Sequence, residues 1–155
     1  MSSMSNDNSP TAAVNLCAYF GYRDAPGALE WLGQALGFET TMQFPDDQGG
    51  IIHAELRLGD AAIVVFSDRD GYDRPTPKGD SVGHGMYLGV ADDAAVDAAF
   101  ARAVGAGAEP VWEPVSTEWG NYRCRVRDLE GFEWTFATHQ PGQPQGDWDG
   151  DGSDG

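Results

Sequence analysis

The feature that most constrains this chain is an internal repeat. Residues 14–22 (VNLCAYFGY) and 84–90 (HGMYLGV) read as short apolar strands, each followed by an aspartate at a helix N-cap position, Asp24 and Asp92. Behind Asp24 a helix is predicted to about Leu36, with Ala28, Leu32, Ala35 and Leu36 on one face and Gly37 ending it. Behind Asp92 the matching helix carries Val96, Ala99, Phe100, Ala103 and Val104 and stops at Gly105 to Gly107. Three strands are predicted after each helix, at 38–44, 51–58 and 61–66 in the first half and at 109–116, 121–128 and 132–138 in the second. Gly59-Asp60 and Glu130-Gly131 turn the last pair of each half. Gly21-x-x-Asp24 aligns with Gly89-x-x-Asp92, Ala28 with Val96, Leu32 with Phe100, and Val65-Phe66 with Thr135-Phe136. A βαβββ unit used twice implies an α+β fold of two tandem modules. A ferredoxin-like βαββαβ order competes with it only if 38–44 or 109–116 is loop.

The repeat divides the chain into module one at 14–66, a linker at 67–82 and module two at 83–139, inside one domain of 12–139. Residues 1–11 and 140–155 are Gly, Pro, Ser, Asp and Gln with little to bury, so they read as disordered tails. Asp147, Asp149, Asp151 and Gly152 imitate the start of a calcium loop, but the chain ends before a closing glutamate, and the segment reads as a solvated acidic tail. A net charge of −16 repels phosphate backbones and anionic lipid heads, which argues against nucleic-acid and membrane partners. No apolar run is long enough to span a bilayer, and the N-terminus lacks a secretion pattern. Two cysteines, Cys17 and Cys124, make no disulfide framework, so free thiols and a cytoplasmic location are expected.

Strand alternation assigns faces. On the first strand Leu16, Ala18 and Phe20 are expected against the helices, with Cys17, Tyr19 and Gly21 facing the cleft. On the fifth, Met86, Leu88 and Val90 belong to the core and Gly85, Tyr87 and Gly89 to the cleft. On the last, Phe132, Trp134 and Phe136 point inward and Glu133, Thr135 and Ala137 to the cleft. Strand 51–58 sets Ile52, Ala54 and Leu56 against His53, Glu55 and Arg57, the polar set on the open side. Trp112, Trp119 and Tyr122 lie on or beside the closing strands, Trp119 in a loop with less core to bury into. The alternation Arg123, Arg125, Arg127 reads as a solvated or dimer-facing strand face.

The segment RDAPGALEWLGQALGFE (23–39) resembles the first helix, and WGNYRCRVRDLEGFEWTFATH (119–139) the closing hairpin, of the vicinal-oxygen-chelate superfamily, which includes glyoxalase I, bleomycin-resistance proteins and extradiol dioxygenases. The resemblance spans about 14–139 and implies a cleft shared by two modules, often in a homodimer. It further implies either a divalent-metal enzyme or a metal-free protein that sequesters drugs. In the metalloenzymes one ligand sits on the first and one on the last strand of each module. Those positions carry over to Cys17 and Gly85 on the first strands and to Val65 and Thr135 on the last ones. Cys17 is the one good donor among them, whereas a catalytic metal needs about three protein ligands. A displaced site built from His53 and His84 with Glu55 or Glu133 is the alternative.

No cofactor and no catalytic residue are therefore expected. The expected ligand-binding set is Cys17, Tyr19, Glu55, Val65, Tyr87, Trp112, Trp119, Tyr122, Glu133 and Thr135, with Glu113 nearby. Aromatic rings with a few carboxylates suit a hydrophobic or cationic aromatic molecule, held by stacking and cation–π contact. The leading expectation is a metal-independent protein of the bleomycin-resistance kind, sequestering such a ligand as a homodimer. The rivals are a divalent-metal lyase, isomerase or dioxygenase, and a partner domain whose cleft is filled by side chains.

Overall fold

A computed structural model describes residues 14–145. Module one consists of β1 (Ala18–Tyr22), α1 (Ala25–Trp31, extended by a π-helical turn at Leu32–Leu36), β2 (Glu39–Pro45), β3 (Ile51–Leu58) and β4 (Ala61–Ser67). Module two consists of β5 (Met86–Gly89), α2 (Asp93–Gly105), β6 (Glu109–Ser116), β7 (Tyr122–Arg127) and β8 (Glu133–Ala137). Each module folds its strands into a four-stranded sheet in the same order, β1-β4-β3-β2 in sheet one and β5-β8-β7-β6 in sheet two. In both, the first strand pairs parallel to the last and the remaining pairs are antiparallel. This is the tandem βαβββ architecture that the repeat implies, and the ferredoxin-like order is ruled out because 39–45 and 109–116 are both strands.

The helices start where the sequence places them. The Asp24 side chain accepts from the Gly27 amide and that of Asp92 from the Ala95 amide, each satisfying a donor that the first helical turn leaves free. Gly37 ends the first helix at φ 92°, a left-handed conformation that a side chain disfavours. One core serves both modules. Its centre is Trp134, fully buried, with ring centroids 5.2 Å from Phe20 and 5.6 Å from Phe38. Burying an indole that completely makes its truncation to alanine cost about 3–5 kcal/mol.

Polar contacts then lock the modules together. Arg102 of α2 donates to the carbonyls of Gly33 and Gln34 at the end of module one's helix, and the Trp31 indole donates to the Ala106 carbonyl. From the opposite side, the Glu130 carboxylate in the β7–β8 turn accepts the amides of Arg23 and Asp24 and an ion pair from Arg74. Beside it, Asp128 accepts from the Tyr22 hydroxyl at 2.7 Å, the Trp134 indole at 3.0 Å and the amides of Glu130 and Phe132. Burial pushes the Asp128 carboxyl above its usual value, an effect those four donors only partly offset.

Three face assignments need correction. Val14 to Cys17 are outside β1, and Leu16, expected in the core, is 96% exposed. The strand begins at Ala18, paired with Ile63, and not at Val14. Ile52 is exposed and Ile51 takes its core place, because pairing skips from Phe44–His53 to Pro45–Ile51 and leaves Ile52 as the unpaired residue of a bulge. Val65 is fully buried on the helix side, since it pairs with Phe20 rather than with Tyr19.

Candidate functional site

Strand register places one row of side chains across the helix-free face of each sheet. In sheet one the row is Met42, Glu55, Val64 and Tyr19; in sheet two it is Trp112, Arg125, Thr135 and Tyr87. Tyr19 is thus the true counterpart of Tyr87, and Thr135 corresponds to Val64, one residue before the Val65 expected from the sequence.

The two faces are finished differently. That of sheet one is bare: Tyr19 is 71% and Phe44 53% exposed, His53 bonds Glu55 at 2.8 Å, and all seven residues of β2 are exposed. That of sheet two is covered. Glu133 and Thr135 lie on the open side, yet each is only 1% exposed. Arg125 folds back over them, its Nε donating to the Thr135 hydroxyl at 2.7 Å and its Nη1 to Glu133 at 3.1 Å. Arg127 approaches the same carboxylate to 3.4 Å, so one buried glutamate faces two guanidiniums. Of the arginines expected on a solvated or dimer-facing strand face, Arg125 and Arg127 belong to this network; Arg123 and Arg125 also flank the Trp112 ring at 4.4 and 4.3 Å.

The linker completes the cover. Ser81 donates to Glu133 at 2.8 Å and accepts from Arg125, and the Val82 amide donates to Glu133 at 3.1 Å. Asp80 accepts from the Trp112 indole and, through its carbonyl, from Arg127. Ser81, Val82 and the inward turn of the arginines were not legible in the sequence. The available signal was the pair of glycines, Gly79 and Gly83, bracketing the segment.

The metal positions implied by the resemblance do not form a donor set. Cys17 is exposed and precedes the strand. Gly85 lies so close to β8 that an added Cβ would fall 2.7 Å from the Glu133 carbonyl oxygen. Val65 is in the core, its cleft-side neighbour Val64 has no donor, and the Thr135 hydroxyl is taken by Arg125. His53 pairs with Glu55, His84 and Glu133 line a separate cavity, and among the described residues no group of three His, Cys, Asp or Glu could hold a metal. These residues do not fit the metal.

That cavity, of about 170 Å³, opens between the modules. Tyr19, Phe20, Met86 and Phe132 line it together with Pro75 and Val82 of the linker, Gly85, His84 and Glu133. Of the expected ligand-binding residues it gathers two, Tyr19 and Glu133. Tyr87 and Trp119 sit apart, at the far end of sheet two: the Tyr87 hydroxyl donates to the His139 carbonyl and accepts from Asn121, and Trp119 meets the His139 ring edge-on at 5.1 Å. Tyr122 turns to the helix side and donates to Asp97, which pushes its phenol up to about 12. Glu113 and Trp112 line a shallow groove with Arg123 outside the network. The acidic residues Asp147, Asp149 and Asp151 lie outside the described residues. Among the described residues no helix is long and apolar enough to cross a membrane.

Residues 15–136 match the model of the glyoxalase/bleomycin resistance protein/dioxygenase superfamily. Among solved structures, TioX from Micromonospora sp. ML1 is 29% identical, with 83% of this chain and 100% of that chain covered and a TM-score of 0.64. A glyoxalase/bleomycin resistance protein/dioxygenase family enzyme from Burkholderia phytofirmans PsJN is 17% identical over 78% of this chain and 94% of that one, with a TM-score of 0.62. Lactoylglutathione lyase from Agrobacterium tumefaciens is 19% identical, covering 81% and 92%, with a TM-score of 0.58. Both of these share the fold alone. No curated protein sequence matches the chain.

Proposed function

Because the chain belongs to the glyoxalase/bleomycin resistance protein/dioxygenase superfamily, we propose that it works as a metal-independent binding protein sequestering a hydrophobic aromatic small molecule. One observation carries the reading. The place where the resemblance puts a last-strand ligand is held by the Arg125 guanidinium, bonded to Thr135 and Glu133. A fixed cation there repels a divalent ion and occupies the oxygens that would bind it. The reading is supported by the apolar cavity between the modules, with the exposed ring of Tyr19 at its mouth.

Binding is stoichiometric in this reading, so no side chain is assigned a catalytic role. The charge pattern orients the ligand. Glu55, in the same row as Tyr19, offers a carboxylate to a cationic substituent, whereas the fixed charges of sheet two are guanidiniums countered by Glu133. A second copy of the chain is the partner proposed for the bare face of sheet one and its uncovered edge strand β2. The free thiols of Cys17 and Cys124 suit a reducing, cytoplasmic setting.

The test is the metal content of protein purified without chelator, repeated after incubation with Ni, Zn, Mn and Fe(II) and desalting, alongside a melting-temperature screen of aromatic compounds. The expected result is an empty protein whose melting temperature rises with some of those compounds. Near-stoichiometric retained metal, or turnover of a substrate, overturns the proposal.

A further inference from the structure

The cavity between the modules has a wall that is not part of either sheet. Val82 and Pro75 come from the linker, and the segment Asp80–Val82 is flanked by Gly79 at φ 66° and Gly83 at φ 90°, where the backbone reverses most easily. The segment is anchored at every residue: Asp80 by Trp112 and Arg127, Ser81 by Glu133 and Arg125, Val82 by Glu133. Glu133 is the common partner of Ser81 and Val82, and its carboxylate is fully buried. A buried carboxylate that receives two guanidiniums, a hydroxyl and an amide holds its partners in one geometry, because releasing a guanidinium leaves charge without compensation and releasing a neutral donor leaves a buried charged oxygen short of a hydrogen bond. The Val82 side chain is therefore a fixed wall rather than a yielding loop.

Its position sets the size of what can enter. An apolar cavity of about 150 Å³ accommodates one benzene ring, and the space here is about 170 Å³. We propose that the Asp80–Val82 strap, latched by Glu133, is the size-selecting element of the cleft, admitting a single aromatic ring and refusing a fused bicyclic one. This rests on the binding reading above and narrows it to ligands carrying a monocyclic aryl group. The ring enters between Phe20, Met86 and Phe132, the remainder of the ligand lies outward along Tyr19, and His84 at the mouth offers a hydrogen bond to a ring substituent. Glu133 acts as a positioning residue: it fixes Val82, and Val82 meets the ligand.

Phenol and 2-naphthol serve as matched probes, differing by one fused ring and sharing the hydroxyl. Titration into the full chain is followed by amide and methyl NMR shifts, with Val82→Ala as the enlarged variant. Overpacking of a fixed wall costs enough that 2-naphthol should bind the unaltered protein at least about ten-fold more weakly than phenol. Phenol should shift the signals of Phe20, Met86 and Phe132, and Val82→Ala should abolish most of the discrimination. Should that variant not fold, Ser81→Ala, which loosens the latch without touching the core, replaces it. Equal binding of both probes by the unaltered protein, or discrimination that persists in the variants, overturns the role of the strap. No binding of either probe to any form overturns the binding reading itself.

Discussion

Glu133 Oε1 and Arg125 Nη1 lie 3.1 Å apart beneath the linker, on the helix-free face of sheet two. Arg127 reaches the other oxygen of the same carboxylate at 3.4 Å. Replacing Glu133 by glutamine leaves two guanidiniums facing a neutral amide in a buried setting. The variant should lose about 3–5 kcal/mol of stability, measured as a lower urea midpoint at an unchanged slope. A loss below the scatter of ordinary surface substitutions would show the network to be solvated and the strap unlatched.

Glu130 makes the stability of the module junction pH-dependent. Burial opposes its ionisation, but the amides of Asp24 and Arg23 and the guanidinium of Arg74 outweigh it and hold the carboxyl below its usual range. Its ionised form therefore stabilises the fold above the ordinary glutamate value of about 4.3, and that contribution is lost as pH falls through the lower folded value. Asp128, raised chiefly by burial, acts in the opposite sense, its neutral form being the one the fold favours. Glu130→Gln should be less stable than the unaltered chain at pH 7, with the gap closing in acid. Parallel stability curves down to acid pH would refute this role.

The two thiols differ in reach. Cys17 is exposed, while Cys124 is fully buried and its thiol is pushed up to about 11, mainly by burial. An aromatic disulfide reagent at pH 8 should label one thiol per native chain, and the second only in denaturant. Rapid reaction of both would mean that the core around β7 opens readily.

Tyr19 projects from β1 into solvent, so Tyr19→Ala should change stability by no more than about 0.5 kcal/mol. For an aromatic ligand found in the melting-temperature screen, the same change should weaken binding about three- to ten-fold through lost ring contact. Unaltered affinity would place the ligand elsewhere.

The architecture was legible in the sequence because its signals are local. Asp24 and Asp92 cap helices, glycines end them, and the strand at 51–58 alternates, so the eight strands and two helices of the described residues emerge in the right order. The finish of the site was not legible, for two physical reasons. Val64, Val65 and Phe66 are all apolar, so nothing in β4 fixes which of them faces the cleft, and the repeat slipped by one residue there. The arginines at 123, 125 and 127 alternate as a solvent face does. For Arg125 and Arg127 the partner Glu133 lies on another strand and the cover comes from the linker, neither of which is a neighbour along the chain.

Gly85 closes one position of the cleft to every side chain. Any side chain placed there would press on the Glu133 carbonyl, so the β5 backbone has settled against β8 in a way that only glycine tolerates. No single substitution there would supply a first-strand donor, because the chain ahead of β5 would first have to move off the Glu133 backbone. A larger residue at position 85 would be felt first as a displacement of the two strands from each other, before it offered any group to the cleft.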